Sequence, residues 1–232
     1  ALQQVSIGIA QHQVKAVIGP NGAGKSTLFS CLAGTVRPTS GIVRLNGEDI
    51  TYLPVNRRVG KGLVKSFQTT SIFPGMTVED NVLTAAVAVS PWSAIDILRA
   101  PQRHPQIMAR VGEALGDVGL SDQRKVSAAA LSHGDQRKLE IALALACGAS
   151  ILLLDEPTAG MGTNDIRQFI GLVGRLRRRC GVLLVEHNMS IVLELSDRIT
   201  VLAQGRMIFE GAPDEVRRDA TVRSAYLGRG EV

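Results

Sequence analysis

Residues 19–27 of this 232-residue chain read Gly19-Pro20-Asn21-Gly22-Ala23-Gly24-Lys25-Ser26-Thr27 and are the strongest indication of its fold. This stretch fits the phosphate-loop pattern G-x-x-x-x-G-K-[ST] at every required position. The apolar residues Val14, Ala16, Val17 and Ile18 precede it and predict a buried strand. Apolar residues from Leu28 to Leu32 follow it at helical spacing, and Gly34 closes the predicted helix. Strand, glycine-rich loop and helix are the context that this pattern requires.

The chemistry of the loop follows from its residue types. Glycines at positions 19, 22 and 24 allow the backbone to wrap around a polyphosphate, so that N–H groups and the helix N-terminus face the anion. Lys25 can reach the β- and γ-phosphates, and the Ser26 hydroxyl can bind Mg²⁺. We therefore expect residues 19–27 to bind a nucleotide. The alternative, a glycine-rich turn that matches by chance, has to be tested against the rest of the chain.

Composition narrows the class of protein only moderately. Hydrophobic residues make up 45% of the chain and charged residues 20%, as in an ordinary globular protein of one domain, with or without an inserted subdomain. The net charge of +5 favours an anionic partner such as nucleotide, nucleic acid or a lipid surface, or serves solubility alone. The longest central uncharged run, residues 141–154, is shorter than the ~20 residues that cross a bilayer. No signal peptide opens the chain, and three cysteines without metal spacing predict buried thiols in a reducing cytosol.

The pattern outside the loop predicts an α/β fold. Alternating apolar residues predict a strand within residues 1–12. Asn46-Gly47 supplies the tight turn of a hairpin at residues 41–50, and residues 62–67 predict a strand that ends at Gln68. From about residue 72 to residue 148 the pattern is helical, which predicts an insertion between core strands.

The core then resumes with apolar runs of the kind that a parallel sheet buries on both faces. The predicted strands are residues 151–155, 182–185, 199–203 and 207–209, with a helix at residues 165–179.

Two further motifs carry chemistry. The strand at 151–155 ends in Asp155-Glu156, where one carboxylate can hold the Mg²⁺ shell and its neighbour can deprotonate an attacking water. Ser132 and Gly134 open a predicted helix, which is a second geometry that suits a phosphate. Taken alone, each has an ordinary explanation: strands commonly end in polar residues, and a serine before a helix is commonly only its cap.

Taken together and in order, the motifs resemble the ATP-binding cassette of ABC transporters. They span residues 19 to 187 and are the phosphate loop, Gln68, Leu131-Ser132-His133-Gly134-Asp135-Gln136, Leu153-Leu154-Asp155-Glu156-Pro157 and His187. The resemblance implies a P-loop NTPase core with a mixed, mainly parallel sheet, flanking helices, an N-terminal antiparallel β region and an inserted α-helical subdomain. It implies one domain, 1–232, whose catalytic core is 1–71 and 149–232 and whose helical subdomain is 72–148.

The resemblance also implies roles for individual residues. Two cassettes would enclose two ATP molecules head to tail, each ATP lying between loop 19–27 of one copy and Ser132 and Gly134 of the other. Glu156 would be the general base and His187 would contact the γ-phosphate. Gln68 would sense Mg²⁺ and water, and the metal would be bound by Ser26, Gln68 and Asp155.

Three details are similar to cassettes that energise importers of branched-chain amino acids and of related amides or urea. They are the Leu-Ser-His-Gly-Asp-Gln sequence at 131–136, Glu186-His187-Asn188-Met189, and Ala225-Tyr226-Leu227-Gly228. A lipopolysaccharide-export cassette is similar in the last two. The implied partners are a second cassette, identical or paralogous, transmembrane permease subunits and, indirectly, a solute-binding protein. The implied location is the cytoplasmic face of the cell membrane.

The chain departs from the family pattern in two places. Cassettes usually stack adenine on an aromatic residue upstream of the phosphate loop, but residues 1–19 contain no aromatic side chain except His12, so we expect the chain to lack that element. Residues 159–162 read Ala-Gly-Met-Gly where many cassettes have Ala-Leu-Asp.

Two other classes of function compete with transport. A soluble ABC ATPase acting on DNA or ribosomes would suit the isoelectric point of 9.4. The DNA-repair branch inserts coiled coils or zinc modules between the phosphate loop and the signature motif, which here is residues 131–136. In this chain that interval lacks sustained heptads and any Cys pair. The chain has a single cassette, and aromatic residues make up only 3%, so no nucleic acid partner is expected. A phosphate-loop kinase would have no use for the signature at 131–136.

Overall fold

The computed structural model describes residues 2–66, 72–91 and 94–227. The strands are β1 (Val14–Ile18), β2 (Arg44–Leu45), β3 (Glu48–Asp49), β4 (Leu63–Lys65), β5 (Ile151–Asp155), β6 (Gly181–Val185), β7 (Arg198–Ala203) and β8 (Arg206–Gly211). The α-helices are α1 (Lys25–Ala33), α2 (Val55–Gly60), α3 (Val78–Ala88), α4 (Ala94–Arg99), α5 (Pro105–Val118), α6 (His133–Ala146), α7 (Thr163–Leu176), α8 (Met189–Leu195), α9 (Pro213–Arg218) and α10 (Ala220–Leu227).

A six-stranded sheet in the order β4-β5-β6-β1-β7-β8 organises the described part of the chain. Neighbouring strands from β4 to β7 are parallel, and β8 joins the edge of β7 antiparallel. Strands β1, β5 and β6 are buried along their whole length, in keeping with their mainly apolar sequences. The predicted mainly parallel sheet is confirmed.

The two faces of the sheet bury two different clusters of side chains. Alternate residues such as Ala16 and Leu154 join the cluster formed with the large helices, whereas Val17 and Leu153 pack with α1 and the β2–β3 hairpin. This alternation is the period of two that a strand imposes. It fixes which side chains pack against the large helices and which pack against α1 and the hairpin.

The hairpin was predicted correctly, but the strand at residues 1–12 was not. Asn46 and Gly47 have φ angles of 51° and 84°, as a tight hairpin turn requires, and join β2 to β3. No strand forms within described residues 2–12, where partly buried Val5, Ile7 and Ile9 pack against the core without a hydrogen-bond ladder. Their alternation reflects side-chain packing alone, so the N-terminal antiparallel β region of the described residues consists of the β2–β3 hairpin.

Helices α3 to α6 lie between β4 and β5 and pack on one another and on the sheet. Thr77 caps α3 by accepting a hydrogen bond from Asp80 N at 3.1 Å, and Ser132 caps α6 in the same way. The subdomain boundaries at residues 72 and 148 stay a prediction. None of the helices in the described ranges combines the length and the apolar character that a bilayer span requires.

Candidate active site

The phosphate loop joins β1 to α1 and is supported from behind by the β7–β8 turn. A side chain on Gly19 would place its Cβ 2.1 Å from Leu202 O, so only glycine fits there. Gly24, the N-cap of α1, has a φ of 104°, in the region that favours glycine. Gly205 N donates a hydrogen bond to Ala23 O at 3.0 Å, which fixes the far side of the loop.

The inner side of the loop suits an anion. No side chain among the described residues caps the first turn of α1, and no acidic residue lies in that turn, so its N–H groups are available to a phosphate. Asn21, Gly22 and Ser26 are exposed, Pro20, Gly24 and Thr27 are half-buried, and Gly19, Ala23 and Lys25 are buried. Backbone donors and an exposed hydroxyl therefore occur together at the start of one helix.

Lys25 supplies the positive charge of this cradle. Its Nζ donates hydrogen bonds to Gly19 O at 2.6 Å and Pro20 O at 3.0 Å. Burial lowers the pKa of the Lys25 ammonium below its usual 10.5, and the nearby carboxylates of Glu156 and Asp155 oppose that shift. The structure thus brings the loop lysine within electrostatic reach of both acidic residues at the end of β5.

Asp155 has one oxygen paired and one available. Its Oδ2 accepts a hydrogen bond from Lys65 Nζ at 2.8 Å, and that ammonium also lies 5.9 Å from the centroid of the Phe29 ring. Its Oδ1 is buried and has no hydrogen-bond partner among the described residues. A buried, unpartnered carboxylate oxygen is costly unless a ligand satisfies it.

The donor set fits Mg²⁺ but not a metal held by protein ligands alone. In the part of the chain that the structure describes, no group of three or more His, Cys, Asp or Glu residues could hold an ion. Asp155 Oδ1 and the Ser26 hydroxyl are hard oxygen ligands, and Mg²⁺ typically completes its shell with phosphates and water. Gln68, the third predicted metal ligand, lies outside the described residues.

Glu156 and His187 lie side by side because β5 and β6 are neighbours. Asp155 is in register with Val185, and Glu156 N donates a hydrogen bond to Val185 O at 2.9 Å. Glu156 has a φ of 47°, an uncommon value for a side chain other than glycine. Its Oε1 lies 2.7 Å from His187 Nε2. The structure therefore joins two predicted site residues in a direct contact.

The signature residues lie at the start of α6. The hydroxyl of Ser132 accepts a hydrogen bond from Asp135 N and donates one to Asp135 Oδ2 at 3.0 Å. Burial by itself raises the pKa of Asp135, but hydrogen bonds from Lys138 and Ser132 outweigh it and hold the pKa below 3.8. A Cβ on Gly134 would lie 3.5 Å from Asp165 Oδ1.

The signature and the phosphate loop line different cavities of the same chain. A cleft of about 580 Å³ has Gly134 and Glu156 among its lining residues. Pro20 to Ala23 line another, of about 720 Å³, with the β7–β8 turn and α10. Gly134 therefore lines the same cleft as Glu156, whereas residues 20–23 of the phosphate loop line the second cavity.

Two residues with close contacts to the site were not predicted from the sequence. Lys65 is the ion-pair partner of Asp155, and Glu186 hydrogen-bonds to the loops that carry Glu156 and His187. A charged residue inside an apolar strand is a signal that could have identified Lys65. A carboxylate directly before His187 is a weaker signal for Glu186, because polar residues at strand ends are common.

Known proteins match this chain over nearly all of its length. The family model described as ABC transporter matches residues 2–159, and a second, described as branched-chain amino acid ATP-binding cassette transporter, matches residues 206–232. The chain belongs to the ABC transporter family. The predicted P-loop NTPase fold and ATPase activity of this cassette are thereby confirmed.

Individual relatives agree with the family. The high-affinity branched-chain amino acid transport ATP-binding protein BraF of Pseudomonas aeruginosa is 36% identical over 234 residues, covering 98% of this chain and 92% of BraF. The lipopolysaccharide export system ATP-binding protein LptB of Acidithiobacillus ferridurans is 36% identical over 228 residues, covering 98% and 90%. A crystal structure of the ADP conformation of an ABC transporter cassette superposes with a TM-score of 0.84 at 29% identity, covering 100% of this chain and 93% of that one.

Proposed function

We propose that this cassette hydrolyses ATP to energise an importer of branched-chain amino acids or of related amino acids and amides. The observation that carries the catalytic part is the 2.7 Å contact between Glu156 and His187 beside Asp155. The solute class rests on similarity to BraF and on the branched-chain amino acid family model at residues 206–232.

In this proposal the phosphates of ATP bind in loop 19–27. Lys25 exchanges the carbonyls of Gly19 and Pro20 for oxygens of the β- and γ-phosphates, which are better partners because they carry charge. Glu156 takes a proton from a water whose oxygen attacks the γ-phosphorus, and the bond to the ADP oxygen breaks. His187 orients Glu156 and contacts the γ-phosphate.

Mg²⁺ would be held by Ser26, Asp155 and Gln68, and when bound it neutralises charge on the β- and γ-phosphates. The available Oδ1 of Asp155 supports this assignment. Lys65 keeps the other oxygen of that carboxylate occupied, so Asp155 has one oxygen to offer the ion.

A second cassette completes each site in this proposal. Ser132 and Gly134 of one copy face the ATP bound in loop 19–27 of the other copy. The exposed position of Ser132 before α6, where it is accessible to another molecule, supports this arrangement. We also propose that residues 72–148 form the helical subdomain, that 1–71 with 149–232 form the catalytic core, and that the subdomain passes dimer opening to the permease subunits at the inner face of the membrane.

Lipopolysaccharide export is the second candidate, because LptB covers this chain as fully as BraF does. The two functions differ in partners rather than in the chemistry of the cassette. They are therefore separated by what activates the assembled complex.

The test is reconstitution of the complex from its native membrane. A tagged chain carrying Glu156→Gln, isolated with Mg²⁺ and ATP, should co-purify with membrane-spanning permease polypeptides. The same complex with wild-type cassettes is then placed in liposomes, and we expect a leucine-loaded solute-binding protein to raise its ATPase rate several-fold. Stimulation by lipopolysaccharide instead would establish the second candidate, and recovery without any membrane-spanning partner would contradict both.

A further inference from the structure

Glu186 is a buried carboxylate directly after β6 that the proposed mechanism does not use. Only 4% of the residue is exposed. Burial of a charge is expensive unless several hydrogen bonds compensate it. The partners of this carboxylate therefore identify its role.

Its two oxygens face two different loops. Oε1 accepts hydrogen bonds from Thr158 N at 3.0 Å and from the Thr158 hydroxyl. Oε2 accepts from His187 N at 2.9 Å and, at the longer distance of 3.4 Å, from Asn188 N. Thr158 is two residues beyond Glu156, so one side chain connects the loop of the general base to the loop of the histidine.

Only a carboxylate suits this position. All four of these partners are donors, and an ionised carboxylate accepts hydrogen bonds on both oxygens. A glutamine of the same shape would turn its NH₂ group toward either Thr158 N or His187 N, and that backbone N–H would lose its acceptor. The chain thus offers an isosteric substitution that removes the connection without leaving a cavity.

The residues that need this support are themselves open to solvent. The side chains of Glu156 and His187 are 36% and 45% exposed, so packing alone does not fix their separation of 2.7 Å. A displacement of about 1 Å at a catalytic group can cost two orders of magnitude in rate. The attachment of both loops to the buried Glu186 carboxylate constrains the distance between Glu156 and His187.

We propose that Glu186 is a positioning residue that holds Glu156 and His187 in their hydrolytic arrangement. The inference rests on the proposed roles of Glu156 and His187. Glu186 touches neither ATP nor water in this scheme, because it acts through the backbone of the two loops. Its loss therefore affects the chemical step more than nucleotide binding.

The test compares Glu186→Gln with Glu79→Gln in the full-length chain. Glu79 is also a buried carboxylate, but its partners are Arg124 and Lys125 in the helical region. We expect Glu186→Gln to lower kcat for ATP about 10- to 100-fold, with KM changed by less than about twofold. Glu79→Gln should keep the wild-type kcat, and melting curves should confirm that both variants are folded at the assay temperature.

A double-mutant cycle separates positioning from a general loss of structure. If Glu186 acts through His187, the kcat of the Glu186→Gln/His187→Ala double variant should lie within about twofold of the kcat of the slower single variant. Losses from coupled residues do not add. Fully multiplicative losses, or a wild-type kcat in Glu186→Gln, would overturn the proposal. A wild-type kcat in His187→Ala would instead overturn the assignment of His187 under the proposed function, and ATP-binding titrations of each variant keep the two failures apart.

Discussion

His187 Nε2 lies 2.7 Å from Glu156 Oε1, although 31 positions separate the two residues in the chain. The contact exists because β5 and β6 are adjacent and end in register, with Asp155 opposite Val185. A histidine and a carboxylate in direct contact after two neighbouring buried strands have the residue types that acid–base chemistry uses. The consequences of this geometry can be measured.

Glu156→Gln should abolish turnover and preserve ATP binding. The amide keeps the shape of the side chain but cannot accept a proton, and general-base catalysis typically contributes 10²- to 10⁴-fold. Phosphate release should fall by at least about 100-fold, and light scattering should show a dimer that persists with ATP. Glu113→Gln, at an exposed carboxylate paired with Arg179, serves as the control. Normal hydrolysis by Glu156→Gln would contradict the assignment of Glu156 as the general base.

Ser132→Arg should prevent ATP-dependent dimerisation. Ser132 caps α6 from an exposed position, so a long cation there would project from the surface that we propose meets the second copy. Loss of the cap should also cost about 1 kcal/mol of unfolding free energy. The measurements are dimer mass with ATP in the Glu156→Gln background, and thermal unfolding.

Ser121→Arg adds the same charge at another exposed residue and provides the control for charge alone. Dimerisation by the Ser132→Arg variant at the same ATP concentration as its parent would contradict the head-to-tail arrangement.

The sequence was sufficient for the features that depend on continuous local patterns. Strand β6 is an unbroken apolar run, β5 is apolar up to Asp155, and β1 is apolar except for Lys15. The caps Thr77 and Ser132 precede their helices by one residue. The prediction of a strand at residues 1–12 was wrong because alternating apolar residues do not show whether the backbone has a partner strand. Packing and pairing are separate requirements, and only the first has a signature in a single sequence.

The sequence predicts the positions of candidate site residues that lie at the ends of strands. It does not predict contacts that depend on which strands and loops are neighbours in space. Asp155, Glu156 and His187 follow buried strands, so a parallel sheet necessarily brings them to one edge. The Lys65–Asp155 ion pair depends on β4 being the neighbour of β5, an order that local patterns do not encode. The connection from Glu186 to Thr158 depends likewise on two loops meeting in space.

Lys65→Met should lower the Mg²⁺ concentration needed for half-maximal ATPase. Lys65 Nζ occupies Asp155 Oδ2 at 2.8 Å, and its removal leaves the carboxylate more negative and both oxygens available. A gain of about 1 kcal/mol in attraction for the cation corresponds to about a fivefold lower half-saturating concentration. Leaving a buried carboxylate without its partner should meanwhile cost about 1–3 kcal/mol of unfolding free energy.

The Mg²⁺ titration at saturating ATP is compared with that of Lys61→Met, which removes a surface ammonium paired with Glu48. A higher Mg²⁺ requirement in Lys65→Met would contradict the placement of the ion beside Asp155.

Glu79→Gln should make the protein less sensitive to acid. Burial by itself raises the pKa of Glu79, but hydrogen bonds and charges from Lys125 and Arg124 outweigh it, so the pKa lies below 4.5 in the folded chain. A carboxyl group whose pKa is depressed by folding stabilises the protein above its unfolded pKa, and that stabilisation is lost as the pH falls through the folded value. The wild-type chain should therefore melt about 2–4 °C higher than Glu79→Gln at pH 7, and the difference should shrink below about pH 4.5. Thermal unfolding at a series of pH values measures this difference in melting temperature, and Glu113→Gln is the exposed control. A difference that stays constant or grows in acid would show that the ionised Glu79 carboxylate is not the stabilising form.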